Sequence, residues 1–208
     1  MSEPDWLLWA REMQAIAQTG LEYTENPYDR ERYEALRGLA ARAMAAHGGG
    51  DPALIEALFA GEQGYATPKV DVRGAAFRDG RILLVRERAD EGHWTLPGGW
   101  ADVNLTGAEN VAREVLEESG FVVRVTKLAA VWDRSRHGHT PKPFHAYKLF
   151  FICDVTGGEA ATSVETSAAG FFNFDEIPDD LSHDRVRPAQ IRRMFEHLWH
   201  PDLPTDFD

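Results

Sequence analysis

Cysteine is almost missing. Cys153 is the only one in 208 residues, which excludes an intrachain disulfide framework and a thiolate metal cage. It lies in the apolar run Leu149-Phe150-Phe151-Ile152-Cys153, the setting of a buried strand thiol rather than a nucleophile. No apolar stretch reaches the roughly 20 residues that span a bilayer, and the acidic start Met1-Ser2-Glu3-Pro4-Asp5 carries no secretory pattern. The expectation is a cytoplasmic protein with no membrane partner. Basic charge is also scarce: 22 Lys and Arg stand against 34 Asp and Glu, a net charge of −12. Duplex DNA is held largely by neutralising its phosphates, so that balance argues against a broad duplex-binding surface, and no recognition-helix pair marks either end. Internal repeats and low-complexity tracts are absent as well.

What is present begins with a core: 43% of residues are hydrophobic and 11% aromatic, enough for one large domain plus a small one. The chain is organised around the stretch from Gly98 to Phe121. Thr106 and Glu109 have the spacing of a capping box, so a helix is expected from about Gly107 to Ser119, with Gly120 supplying a left-handed C-terminal turn. At about 100° per residue, Glu114, Glu117 and Glu118 share one face while Ala108, Val111, Ala112, Val115 and Leu116 form a neighbouring apolar stripe. Like charges at this spacing repel, and a divalent cation would reverse the penalty. A dense set of carboxylate oxygens suits Mg²⁺ or Mn²⁺, hard ions that bridge to substrate phosphates. The plain alternative is a solvated acidic face.

The segment resembles the Nudix box, Gly-x5-Glu-x7-Arg-Glu-apolar-x-Glu-Glu-x-Gly-apolar. Gly99, Arg113, Glu114, Val115, Glu117, Glu118, Gly120 and Phe121 match it in register, and Leu105 stands where the first glutamate belongs. In that family the first glutamate mainly supports the loop and helix, so its loss bears on loop stability more than on catalysis. The wording Gly98-Gly99-Trp100-Ala101-Asp102-Val103-Asn104 is similar to a subgroup with an extra helical N-terminal segment, which includes CDP-choline and ADP-ribose pyrophosphatases.

Residues 5 to about 18 and 28 to about 47 have helical apolar spacing, and a third short helix is expected from Pro52 to about Phe59. Residues 1–65 therefore read as a helical N-terminal extension and 66–208 as the main domain. The apolar face of the extension, including Trp6, Leu8, Trp9 and Ile16, would pack within the extension, against the main domain, or against a second subunit in a homodimer. Val70 to Phe77 and Ile82 to Val85 read as strands joined by Asp79-Gly80, a hairpin signal. Val122 to Trp132, Phe144 to Val155 and Gly170 to Phe174 are further strand candidates, and a last helix runs from Arg185 to about His197. Strands and helices do not alternate regularly, so the fold class is α/β with a mixed sheet. The resemblance implies a Nudix-type α/β/α sandwich with the box helix against one end of the sheet.

By the same resemblance, Glu114, Glu117, Glu118 and the carbonyl of Gly99 would hold Mg²⁺, with Mn²⁺ as the other candidate, and Arg113 would pin loop to helix. Glu114, Glu118 or Glu165 would act in catalysis, Glu165 as base or additional ligand or else a solvated loop acid. Arg86 and Arg88 would face the diphosphate of a small nucleotide substrate, and Arg134, Arg136, His137 and His139 the group beyond it, unless they are surface residues in water. His145 is expected to be structural within its strand. The implied activity is cleavage of a nucleoside diphosphate linked to another moiety, giving a nucleoside monophosphate and a phosphorylated remainder. Ser135 stands where some ADP-ribose enzymes have proline, which puts CDP-choline slightly ahead. The competing readings are an RNA-end or 3′-exonuclease activity and a non-catalytic nucleotide-ligand sensor.

Overall fold

Two central segments with long buried runs set the architecture. In a computed structural model describing residues 3–208, β1 (Lys69–Arg78) and β5 (Ala146–Gly158) run side by side in parallel. Beyond them lie β2 (Arg81–Glu87), β3 (Trp94–Thr95), β4 (Phe121–Asp133), β6 (Thr166–Phe172) and β7 (Asp206–Phe207). The order is β3-β2-β1-β5-β4-β7, with β6 also paired to β2. The β1–β5 and β4–β7 pairs are parallel and the rest antiparallel, so the sheet is mixed, as expected. Asp79 and Gly80 both take positive φ, 53° and 74°, the paired left-handed geometry of a tight hairpin turn between β1 and β2.

Because side chains alternate across a strand, each face of the sheet has its own core. Val72, Ala76, Leu83, Phe151 and Cys153 meet Val111 and Val115 of α4 (Gly107–Ser119) on one face. Ala75, Phe77, Ile82, Leu84, Phe150 and Ile152 meet Ile191, Met194 and Phe195 of α5 (Pro188–Trp199) on the other. This is the α/β/α sandwich. Cys153 is fully buried in the core on the α4 face, and burial pushes its thiol up to about 12, which disfavours the thiolate. Several boundaries move. β5 starts at Ala146, so His145 precedes its strand instead of lying in it; β6 starts at Thr166, so Glu165 directly precedes a strand; α5 starts at Pro188, whose fixed φ suits a first helical position.

The chain divides into two units, one comprising the residues up to Pro68 with Pro141–His145 and the other Lys69–Thr140 with Ala146–Asp208. The first holds α1 (Asp5–Tyr23), α2 (Pro27–Gly48) and α3 (Pro52–Ala60), packed through Leu7, Ala10, Ala40, Ala41, Met44 and Phe59. Asn26 and Asp51 cap α2 and α3, each followed by proline at the first helical position. Arg11 ties the returning segment to α1: it pairs with Glu3 and donates to the Lys142 carbonyl. Among the described residues no helix is long and apolar enough to cross a membrane.

Candidate active site

The acidic helix is fixed at both ends by local chemistry. Thr106 Oγ1 accepts the Glu109 N–H at 3.2 Å, and Glu109 Oε2 accepts the Thr106 N–H at 2.8 Å, a complete capping box. Those bonds hold the Glu109 carboxyl below the usual range, the backbone bond most strongly. Gly120 closes the other end at φ 78°. The loop before the helix is braced by Asn110, which is buried: its Oδ1 accepts the Asp102 N–H at 2.7 Å and its Nδ2 donates to the Asp102 carbonyl at 3.2 Å. This brace holds the loop although Leu105 replaces the expected glutamate.

Strand β1 hooks the glycine loop from the other side. Val72 N–H donates to the Gly99 carbonyl and Gly74 N–H to the Pro97 carbonyl, each at 2.8 Å, and Ala101 N–H returns to the Val70 carbonyl at 2.9 Å. The approach leaves no room for a side chain at Gly98. It sits at φ 144°, and a Cβ there would fall 2.0 Å from the Val72 carbonyl oxygen.

Two carboxylates meet this loop. Glu118, almost fully buried, accepts the Gly98 N–H at 2.9 Å. Burial pushes its carboxyl up to about 7, against the opposing pull of Arg73 and of that N–H. Glu114 is also raised, first by burial and then by the charges of Glu117 and Glu165 working against Arg113 and Arg73. Arg113 is the clamp: its guanidinium reaches Asp102 at 2.9 Å, Glu114 at 2.8 Å and Glu117 at 3.0 Å. That is the ion-pairing role expected of it.

The chemistry fits a hard divalent cation. A Cβ at Gly99 would come within 3.1 Å of Glu114 Oε2, so the bare backbone and the carboxylate share one narrow space. The Gly99 carbonyl retains a lone pair beyond the one that Val72 uses. Among the described residues no three His, Cys, Asp or Glu side chains are gathered around one point. Arg113 draws Glu114 and Glu117 to itself while Glu118 turns to Gly98, so the ligand set is adjacent and partnered rather than converged.

Two groups of charged residues were missed in the sequence. Asp71 and Arg73 lie two apart on β1, both buried, and pair through two bonds of 2.9 and 2.7 Å. Lys148, directly across on β5, donates to Asp71 at 2.6 Å, and Arg73 also donates to the Leu96 carbonyl at 3.2 Å. Burial opposes the Asp71 charge, but the two cations outweigh it and hold the carboxyl well below the carboxylate range. Burial also brings the Lys148 ammonium down to about 8, with Asp71 resisting. The available signal was a charged pair at strand spacing inside the apolar run Val70 to Phe77. The second group is Glu87, buried, paired to Arg185 at 2.9 Å and close enough to Glu118 for its charge to bear on it.

The remaining expected residues fall into two sets. Glu165 is exposed beside the carboxylates, where its charge bears on Glu114, and its carbonyl accepts the Arg88 N–H at 2.8 Å. Arg88 donates to the Thr166 carbonyl at 3.2 Å and so stays with that loop. Arg86 is not brought to the acidic helix. It follows Ile82 and Leu84 on the α5 face of β2, where it binds the Gly92 carbonyl and lies 3.5 Å from Asp180. Arg134 is buried and donates to the carbonyls of Thr140 and Asp184, whereas Arg136 is exposed 3.8 Å from Asp133. His137 stacks on Trp132 and reaches Asp208 at 2.8 Å. His139 is buried, its Nδ1 3.1 Å from the His183 carbonyl and its Nε2 without a partner.

Residues 68–194 match the model of the NUDIX domain, and residues 4–59 match a model described as a UDP-X-like, N-terminal oligomerisation domain. A Bacillus subtilis (strain 168) protein, YjhB, provisionally named an ADP-ribose pyrophosphatase, is 48% identical over 203 residues, covering 98% of this chain and 97% of its own. Among solved structures, a UDP-X diphosphatase is 32% identical over 100% of both chains with a TM-score of 0.62. An ADP-ribose pyrophosphatase from Streptococcus suis is 37% identical with a TM-score of 0.61, over 68% of this chain and all of its own.

Proposed function

This chain belongs to the Nudix hydrolase family, and from that premise we propose that it is a Mg²⁺-dependent pyrophosphohydrolase of the ADP-ribose type. Water adds across the diphosphate anhydride, yielding a nucleoside monophosphate and a phosphorylated remainder. The observation that carries the substrate class is the near full-length identity to a protein named for ADP-ribose, joined to a helix that keeps every later glutamate of the box. The lean of the sequence toward CDP-choline rested on Ser135 alone and gains no support from the relatives. A UDP-linked substrate is the second reading, favoured by the match to a UDP-X diphosphatase over the whole chain.

Residues 66–208 carry the chemistry. Glu114, Glu117 and Glu118, with the Gly99 carbonyl, would hold the ion, Mg²⁺ or Mn²⁺. When bound, such an ion neutralises phosphoryl oxygens and activates water. Arg113 restrains Glu114 and Glu117 on the helix, and Gly98 N–H orients Glu118. Glu165 takes a proton from the attacking water, its exposed position beside Glu114 leaving it open to solvent and substrate. Arg88, tied to the same loop, would face the diphosphate, and the exposed Arg136 the group beyond it, while the buried Arg134 would hold its loop through the Thr140 and Asp184 carbonyls. Residues 1–65 serve assembly as a homo-oligomer, in keeping with the description of the matching model.

The test is product identity. Purified protein with Mg²⁺ should convert ADP-ribose to AMP and ribose phosphate faster than it consumes CDP-choline, a UDP-sugar or a short RNA. Preferred cleavage of the UDP-sugar would move the assignment to the second reading. Tight binding without any product would favour a sensor and reject the enzyme.

A further inference from the structure

Helix α1 carries two apolar lines. Leu7, Ala10, Gln14 and Ala17 are buried, the first two of them packed with α2 and α3. Turned about 140° away at 100° per residue are Trp9, Ile16 and Tyr23, seven residues apart and 61%, 49% and 69% exposed. Single exposed apolar residues are ordinary, but three large ones at one position of successive heptads put an apolar stripe on one face, half of the a and d pattern by which helices pair. The line opens into a groove of about 570 Å³ whose walls include Ile16, Tyr23, Tyr33 and Tyr65. Gly20 lets the Tyr33 ring lie against α1 at the groove wall, since a Cβ there would lie 2.4 Å from that ring.

We propose that this line is where a second copy of the chain docks, α1 against α1 in antiparallel about a twofold axis beside Ile16. The inference rests on the homo-oligomer reading above and names its surface. A twofold contact must be self-complementary. Antiparallel pairing centred on residue 16 sets Ile16 against its own copy and position 9 against position 23, so aromatic meets aromatic at both ends. Glu12 then falls opposite Gly20, and no acidic side chain on the line meets another. Leu54 and Leu58 on α3, 67% and 72% exposed, make a second and shorter patch of two residues one turn apart. It lacks the length of a seam.

Cysteine cross-linking tests this in the full chain, because the native Cys153 is fully buried and its thiol is out of reach of an oxidant or a second chain. By light scattering the unaltered protein should have the mass of two chains or an even multiple. Under mild oxidation Ile16→Cys should run as a covalent dimer without reductant, while the unaltered protein and Leu58→Cys should not, since only a residue beside the axis meets its own copy within disulfide reach. Tyr23→Asp should shift the mass toward one chain with ADP-ribose turnover per chain measured alongside. A dimeric protein that cross-links through Leu58→Cys and not Ile16→Cys would overturn the surface and leave the oligomer reading standing. A monomeric protein would overturn both.

Discussion

Glu118 accepts the N–H of Gly98 at 2.9 Å, which joins the acidic helix to the one loop position where a side chain would strike the Val72 carbonyl. Replacing Glu118 by Gln keeps the shape and removes the charge. Turnover should fall about 10²–10³-fold, the loss typical of removing one preorganised electrostatic group. Stability should not fall. The carboxyl is raised in the folded state from 4.5 to about 7, so it binds more protons when folded, and its contribution is lost as pH rises through that window. Thermal melts at pH 5 and pH 7.5 check this: the Gln variant should show less loss of midpoint between them than the unaltered protein.

Glu165 precedes β6 and is exposed, with no structural bond from its carboxylate that the fold depends on. Glu165→Gln should lower turnover about 10²–10⁴-fold, as expected when a positioned base is removed. Affinity for Mg²⁺ should change little. A titration calorimetry experiment that found metal binding abolished would recast Glu165 as a ligand, and unchanged turnover would make it a solvated acid.

Asp71 is bonded to two buried cations at once, so Asp71→Asn should be strongly destabilising. Arg73 and Lys148 would lose the carboxylate hydrogen-bonded to both, with only Glu118 and Glu87 still bearing on Arg73, and breaking a buried pair from one side costs about 3–5 kcal/mol. Arg73 also holds the Leu96 carbonyl, so the glycine loop should loosen. Urea unfolding gives the first effect. Faster amide exchange at Gly98 and Gly99 gives the second.

His139 sets an acid limit. Burial, followed by the Lys148 charge, brings its pKa down from 6.5 to about 3. The His183 carbonyl can only accept, so Nδ1 carries the proton and the ring is neutral in the fold. Unfolded, it protonates below about 6.5, so stability is lost as pH falls from 6.5 toward 3, by up to about 1.4 kcal/mol per pH unit. His139→Gln should flatten that slope in urea titrations at pH 6.5, 5 and 4; an identical slope in both proteins would rule His139 out.

How much of this was legible depended on the range of the interactions. The box helix was, end to end, because Thr106, Glu109 and Gly120 act within a turn or so of chain. The long strands were too, since apolar runs and the Asp79-Gly80 turn are local signals, and the mixed sheet followed from the irregular order of strands and helices. Asp71 and Lys148 are 77 positions apart in sequence and become neighbours only through the β1–β5 register, which no periodicity reports. Arg86 was placed at the diphosphate because it follows an apolar strand, but the face it takes depends on the α5 side of β2 being covered. The two-residue strands β3 and β7 carry too few residues to show a period at all. Chain-distant packing also brings Pro141–His145 into the helical unit, and composition gives no hint of that.

The most direct test is the position of the ion itself. In crystals soaked with Mn²⁺ and a non-hydrolysable ADP-ribose analogue, anomalous difference density should lie about 2.1 Å from carboxylate oxygens of Glu114 and Glu118 and from the Gly99 carbonyl, touching the diphosphate. Density found elsewhere, with Glu114 still clamped by Arg113 and Glu118 still on Gly98, would contradict the account.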